Sequence, residues 1–170
     1  MKTLNLPFNR EDLCNLKAGD WVNLSGSLLV GRDQAHLRLI KAIEEEKSLP
    51  AELNNEAILY AGPVVKDKEV VIGPTTSSRM DGFSEPLFKK GLALTIGKGR
   101  RSPEFAQLCQ KYKTAYLMTY GGAAAFLSQF VQKAKIIAYG DLGPEALYRI
   151  EVLDFPAIIA IDCQGRIFKP

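Results

Sequence analysis

The sequence predicts an α/β domain, on three observations. Short apolar, β-rich runs recur along the chain, segments with helical periodicity and helix caps lie between them, and glycine turns mark most of the junctions. Further β segments crowd both ends of the chain, which argues against a plain doubly wound sheet. With 170 residues and no linker or repeat, the chain has the length for one domain, or at most two small ones, with its own core.

Taken in order, Asp20 to Gly31 (DWVNLSGSLLVG) reads as two short strands around Ser25-Gly26. Asp33 opens a helix toward Lys47, with Leu39, Ile40 and Ile43 on one face and Glu44 to Glu46 on the other. Ala57 to Tyr60 reads as a strand ended by Gly62-Pro63, and Glu69 to Ile72 as one ended by Gly73-Pro74. The hydroxyls of Thr75-Thr76-Ser77-Ser78 suit a helix N-terminus, and that helix stops near Lys90-Gly91. Leu92 to Ile96 is a strand running into Gly97-Lys98-Gly99. Ser102-Pro103 caps a helix whose Phe105, Leu108, Cys109 and Tyr112 form one stripe. Ala115 to Thr119 is a strand, Gly122 to Gln132 a small-residue helix and Lys135 to Tyr139 a strand. Tyr148 to Val152 and Ala157 to Asp162 close the chain as β.

Composition narrows the function classes. A formal charge of +3 is too mild for a nucleic-acid or membrane-surface footprint. No apolar run approaches the roughly 18 residues of a spanning helix, and the polar start MKTLNLPFNREDLC breaks any signal-peptide core. The expected setting is the cytoplasm. Cys14, Cys109 and Cys163 lie far apart without CxxC spacing, so they suggest neither a disulfide framework nor a self-contained metal site. Cys109 reads as a small core residue, and Cys14 falls in a polar segment.

Four junctions carry chemistry-bearing side chains: Gly31-Arg32-Asp33, Gly73 to Arg79, Gly97-Lys98-Gly99 and Tyr120-Gly121-Gly122. In α/β proteins ligands gather at such strand ends. In GPTTSSR, free N–H groups, hydroxyls and the planar fork of Arg79 suit a carboxylate or phosphate; a capped surface helix with a solvated arginine is the alternative. Gly97-Lys98-Gly99 lacks the frame of a P-loop, yet its glycines let a ligand approach Lys98 closely, while Arg100 and Arg101 read as a basic surface turn. His36, one turn after Arg32, reads as a packed or orienting histidine. Gly121 to Ala125 reads as close packing of a helix. No base–nucleophile pair stands out. The chain offers cations and hydroxyls for a small polyanion.

These residues also resemble a family. GRDQAH (Gly31 to His36), YAGP (Tyr60 to Pro63), GPTTSSRMDGF (Gly73 to Phe83), GKG (Gly97 to Gly99), GGAAA (Gly121 to Ala125) and EALYRIEVLDFPAIIAID (Glu145 to Asp162) look like the β-type subunit of class I iron–sulfur hydro-lyases, the fumarases and L(+)-tartrate dehydratases. The matches run in order through nearly the whole chain. Tyr148 and Leu153 depart from residues found in some relatives. The resemblance implies a swivelling β/β/α domain with a mixed sheet, formed by residues 1–170 as one catalytic domain. It implies an α subunit, in an α2β2-type assembly, that binds a four-iron four-sulfur cluster; no metal ligand is expected on this chain. It also implies that Arg32, Thr75, Thr76, Arg79 and Lys98 contact a dicarboxylate, with Thr75 and Lys98 catalytic and Asp33 and His36 behind them as orienters. The implied reaction is hydration of fumarate to (S)-malate. L(+)-tartrate dehydration and a non-catalytic carboxylate- or phosphate-binding module are the alternatives.

Overall fold

The computed structural model describes residues 2–66, 69–120 and 124–169. Its elements are β1 (Lys2–Leu6), α1 (Arg10–Cys14), β2 (Trp21–Val30), α2 (Asp33–Glu44), β3 (Ala57–Leu59), β4 (Ala61–Lys66), β5 (Glu69–Pro74), α3 (Asp81–Lys89), β6 (Leu94–Gly97), α4 (Pro103–Tyr112), β7 (Ala115–Met118), α5 (Ala124–Ser128), β8 (Val131–Ala138) and β9 (Leu147–Ile161). Short 3-10 turns span Ser77–Met80 and Gly140–Glu145.

Seven strands form one mixed sheet in the order β1-β2-β3-β6-β7-β9-β8. The β2, β3, β6 and β7 strands run parallel, and β9 runs antiparallel to β7. The sheet then closes on itself, because β9 also pairs antiparallel with β2. Its register matches Val30 with Leu59, Leu59 with Ile96, Ile96 with Leu117 and Leu117 with Ile159, and Ile159 N–H then returns to Asp20 O instead of Val30. That stagger is the shear a tilted barrel requires. The fold is thus the mixed-sheet α/β domain of the swivelling type.

Strand alternation divides the apolar residues between two cores. Leu28, Val30, Leu59, Ile96, Leu117, Phe155 and Ile159 fill the barrel, with Leu13 of α1 and Leu127 of α5 against them. Leu29, Ile58, Tyr60, Tyr116 and Ile161 face outward and are covered by Leu39 of α2, Phe88 of α3 and Phe105 of α4. In α4 the start is set by Ser102, whose Oγ accepts from Phe105 N–H at 3.1 Å with Pro103 at the first turn.

Several elements differ from the sequence expectation. The two strands read around Ser25-Gly26 are one strand with a bulge, since Leu24 opposes Phe155 while Gly26 opposes Val152. Likewise the two closing β segments are one strand, β9; Asp154 takes φ 54° at the bulge, and its N–H donates to Ser25 Oγ at 3.0 Å. Gly62-Pro63 does not end a strand but lies inside β4, which pairs only with β5; in a two-stranded ribbon the missing proline N–H is tolerated. The helix expected over Gly122 to Gln132 shrinks to α5, because β8 begins at Val131 by pairing with Val152 of β9. Its first residues, with Gly121 and Gly122, lie outside the described residues. The N-terminal β1 and α1 carried too short a pattern to be read.

The bulge makes a stability prediction. Gly26 has φ +121°, and a Cβ there would sit 2.3 Å from the Leu6 carbonyl oxygen, a backbone atom that cannot rotate away. Gly26→Ala is expected to cost about 3 kcal/mol or more, by strain at a special backbone position. Gly82→Ala, where a Cβ meets nothing within 4 Å, should be neutral or stabilising. Urea midpoints of the two variants check this.

Candidate functional site

The parallel strands end together, so the residues after Val30, Leu59, Ile96 and Leu117 form one rim of the barrel. Arg32 and Asp33 follow β2, Tyr60 follows β3, and Lys98 follows β6. Beyond Leu59 and Ile96 the two strands part, and the segment after β5 fills the gap. Thr75 N–H donates to Tyr60 O at 2.7 Å, Ser77 N–H donates to Lys98 O at 3.0 Å, and Thr76 forms a parallel bridge with Lys98. Gly97 permits this closeness, since a Cβ there would lie 2.0 Å from Ser77 Oγ. Tertiary structure therefore sets Thr75 and Thr76 against Lys98, although 22 residues of chain separate Thr76 from Lys98.

Two guanidinium groups complete the rim. Arg79, half exposed, donates to Asp33 Oδ2 at 3.3 Å, which ties the segment after β5 to the start of α2. Arg32 lies across Gly62, where a Cβ would come within 2.9 Å of its Cδ. Its Nε is buried and has no hydrogen-bond partner among the described residues; Glu145 Oε1 stands 3.9 Å away. A buried guanidinium N–H without a hydrogen-bond acceptor is costly, and the exposed part of the Arg32 side chain leaves its fork open to a carboxylate.

His36 is fully buried behind Arg32, with Nδ1 2.7 Å from Arg32 O. A carbonyl only accepts, so Nδ1 carries the proton and Nε2 is a bare acceptor, unpartnered among the described residues. Tyr60 and Phe83 pack on its ring, at centroid distances of 5.4 and 5.8 Å. Desolvation pulls its pKa from 6.5 to about 4, against the opposing pulls of Arg32 O and Asp33, so the ring is neutral at pH 7. It holds Arg32 from below.

Arg101 corrects the reading of a basic surface turn. Its side chain is wholly buried and ion-paired with Asp81, and its guanidinium carbon lies 3.5 Å from the centre of the Phe105 ring. It also donates to Ser84 Oγ at 3.0 Å and Tyr60 OH at 3.5 Å, whereas Arg100 is exposed as expected. The sequence signal was present: Asp81, Phe105 and Tyr116 are the partners such an arginine needs, but nothing in their spacing shows that they converge. Glu145 and Tyr116 were missed as site neighbours for the same reason, and Ser77 was read only as one of the hydroxyls of the Gly73 to Arg79 junction. Of the fourth junction, Tyr120 is stacked on Trp21 with ring centroids 6.1 Å apart, and Gly121 and Gly122 lie outside the described residues.

The cysteines do not fit an iron–sulfur cluster. Burial pushes the Cys109 thiol up to about 12 and also raises that of Cys163, which is fully buried beside Cys14; cluster ligation requires thiolates. Among the described residues no three His, Cys, Asp or Glu side chains gather as a metal site. Cys14 packs against the barrel core instead of lying free in a polar segment.

Comparison with known proteins bears on this rim. The family model described as Fumarase C-terminus matches residues 2–169. The L(+)-tartrate dehydratase subunit beta of Escherichia coli is 37% identical over 173 residues, covering 97% of this chain and 85% of the relative. The aerobic class I fumarate hydratase of Salmonella typhimurium is 34% identical over 97% of this chain, and the mitochondrial fumarate hydratase 1 of Leishmania major 39% identical over 86% of it. The chain spans only 30% and 28% of those two longer proteins. A match over virtually the entire barrel, rim included, makes this chain a member of the fumarase C-terminus family.

Proposed function

We propose that this chain is the β subunit of an iron–sulfur hydro-lyase that hydrates fumarate to (S)-malate, reversibly and in the cytoplasm. In this reading residues 1–170 act as one catalytic domain. The observation that carries it is the single rim that gathers Arg32, Arg79, Lys98, Thr75 and Thr76. The relatives named as hydro-lyases support the reaction class, and the name subunit beta supports a separate α partner.

In this proposal Arg32 and Arg79 hold the two carboxylates, with Asp33 fixing the Arg79 fork and His36 fixing Arg32 through its backbone carbonyl. Thr76 and the neighbouring backbone orient the bound dicarboxylate. Dehydration of malate removes a proton from the carbon next to a carboxylate, leaving the electron pair delocalised into that carboxylate; hydroxide then leaves the adjacent carbon. Thr75 is assigned the proton and Lys98 the developing charge. A free hydroxyl is a weak base, so Thr75 needs a cation beside it, and the bridge between Thr76 and Lys98 sets the lysine's backbone next to the threonine pair. A four-iron four-sulfur cluster belongs on the α subunit, where an open iron supplies Lewis acidity.

L(+)-tartrate dehydration is the second reading, favoured by a specific observation. The tartrate dehydratase β subunit matches this chain along 85% of its own length, whereas the fumarate hydratases carry the matching region within far longer chains. (S)-Malate and L(+)-tartrate, the two molecules dehydrated, differ by one hydroxyl, so the same rim serves both. Anaerobic co-expression with the α-type chain and rates on fumarate, (S)-malate and L(+)-tartrate decide between them. Binding of the dicarboxylates without turnover by the complex would instead make the chain a binding module.

Arg79→Lys keeps the charge and removes the planar fork. The expected loss in kcat/KM is about 2 kcal/mol in transition-state stabilisation, in the range of charged hydrogen bonds, with an unchanged melting temperature. Wild-type kinetics would return Arg79 to a solvated surface residue paired only with Asp33.

A further inference from the structure

We propose that Tyr116 is a positioning residue, holding the segment that carries Thr75, Thr76 and Arg79 in register with the loop that carries Lys98. This rests on the hydro-lyase reading for its catalytic consequence, although the positioning itself is a property of this chain alone. Tyr116 lies on β7, is buried, and places its hydroxyl between the two loops: 2.8 Å from Gly99 O and 3.0 Å from Ser77 Oγ. A tyrosine has one proton. The Gly99 carbonyl can only accept, so the phenol proton goes there, and the Ser77 hydroxyl donates to the phenol oxygen. One oxygen thus clips Ser77, two residues from Thr75, to Gly99, the neighbour of Lys98. Burial raises the Tyr116 pKa, so the proton that makes the clip stays in place.

What surrounds the clip supports a positioning role over simple core packing. Gly99 has φ +81°, and a Cβ placed on it would meet nothing within 4 Å, so its loop gains little from packing. The Ser77 N–H to Lys98 O bond and the bridge of Thr76 with Lys98 tie the same two loops through backbone, and Arg101 and Ser102 hold Asp81 further along each chain. The Tyr116 ring is held by two neighbours: it meets Phe105 edge-on at 6.1 Å, and the Arg101 guanidinium carbon is 5.1 Å from its centre. Arg101 also reaches Tyr60, whose carbonyl accepts from Thr75. The hydroxyl is therefore a fixed point against which both loops are set. Catalysis is sensitive to such settings, since a displacement near 1 Å can cost up to about 100-fold.

The test is Tyr116→Phe, which removes only the oxygen, in both the isolated chain and the complex with its α subunit. In the isolated chain, hydrogen exchange at the Ser77 amide should speed up about tenfold while the Ile96 and Leu117 amides keep their protection. In the complex, kcat should fall about 10- to 100-fold with KM changed less than about threefold, the split expected when geometry and not binding is lost. Ser77→Ala removes the other arm and should give the same pattern, and the double variant should cost no more than the larger single one. Tyr112→Phe removes a hydroxyl bonded to Glu85 outside the site and should alter neither readout. Unchanged Ser77 exchange in Tyr116→Phe overturns the proposal, as does faster exchange with an unaltered kcat. An inactive wild-type complex would overturn the hydro-lyase reading instead, while the exchange experiment would still decide whether the clip exists.

Discussion

Arg101→Leu is expected to destabilise the chain by about 3 kcal/mol, the low end of what breaking a buried ion pair costs. The guanidinium side chain is fully buried while Asp81 remains 23% exposed, so the carboxylate left behind regains some water and keeps the Ser102 N–H at 3.2 Å. Ser84 Oγ and the Tyr60 hydroxyl lose a donor at the same time, and the Phe105 ring loses the plane stacked on it. Arg101→Lys should recover only part of this, because an ammonium can neither stack nor fork. Arg100→Leu, one residue earlier and exposed, should change stability by less than about 0.5 kcal/mol. Urea unfolding of the three variants separates a buried strut from a basic turn; equal midpoints for Arg100→Leu and Arg101→Leu would return Arg101 to the surface.

His36 is expected to make stability fall with acid by roughly 3 kcal/mol. Its pKa is about 4 in the folded chain against 6.5 for the free side chain, so the unfolded state binds the extra proton between those values. Stability from this group is complete above pH 6.5 and is lost as the pH falls toward 4. A shift of that size, at 1.36 kcal/mol per unit, sets the magnitude. Exposed carboxylates such as Asp20 and Asp141, whose pKa values are lowered by hydrogen bonds to Lys2 and Arg38, also lose their contribution in acid. The measurement is therefore the difference between wild type and His36→Leu, followed by urea midpoint from pH 7 to pH 4. The wild-type midpoint should fall relative to that of His36→Leu as the pH drops; parallel curves would mean that the ring is hydrated and titrates normally.

How far each feature was legible depended on whether its cause was local. Caps, stops and strand runs are local, so α2, α4, β3, β6 and β7 were readable from Asp33, Ser102-Pro103 and the short apolar runs. Arg32, Asp33 and Lys98 were legible together because they follow glycine-marked ends of parallel strands, which share one edge; Thr75, Thr76 and Arg79 follow β5 of the separate antiparallel ribbon, and only the fold brings them to that edge. The same locality produced the errors. Ser25-Gly26 looks like a turn and Leu153 to Pro156 like a break, yet both strands continue, because a single bulge on β9 sets Leu153 and Asp154 opposite Ser25.

The sequence by itself determined the class of the domain, the cationic and hydroxyl make-up of its junctions and the resemblance that placed it in a family. Only the tertiary structure decided that the sheet closes into a barrel. Closure depends on β9 pairing at once with β2, β7 and β8, contacts between residues more than a hundred positions apart in the case of β2, which no window of periodicity can contain. Only the tertiary structure, too, turned Arg101 from a basic turn into a buried strut and put the hydroxyl of Tyr116, read only as part of a strand, between Ser77 and Gly99. A charged or hydroxyl group takes its role from the partners that replace its water, and here those partners, Asp81 and Ser77, are supplied by the segment after β5, folded back over the rim.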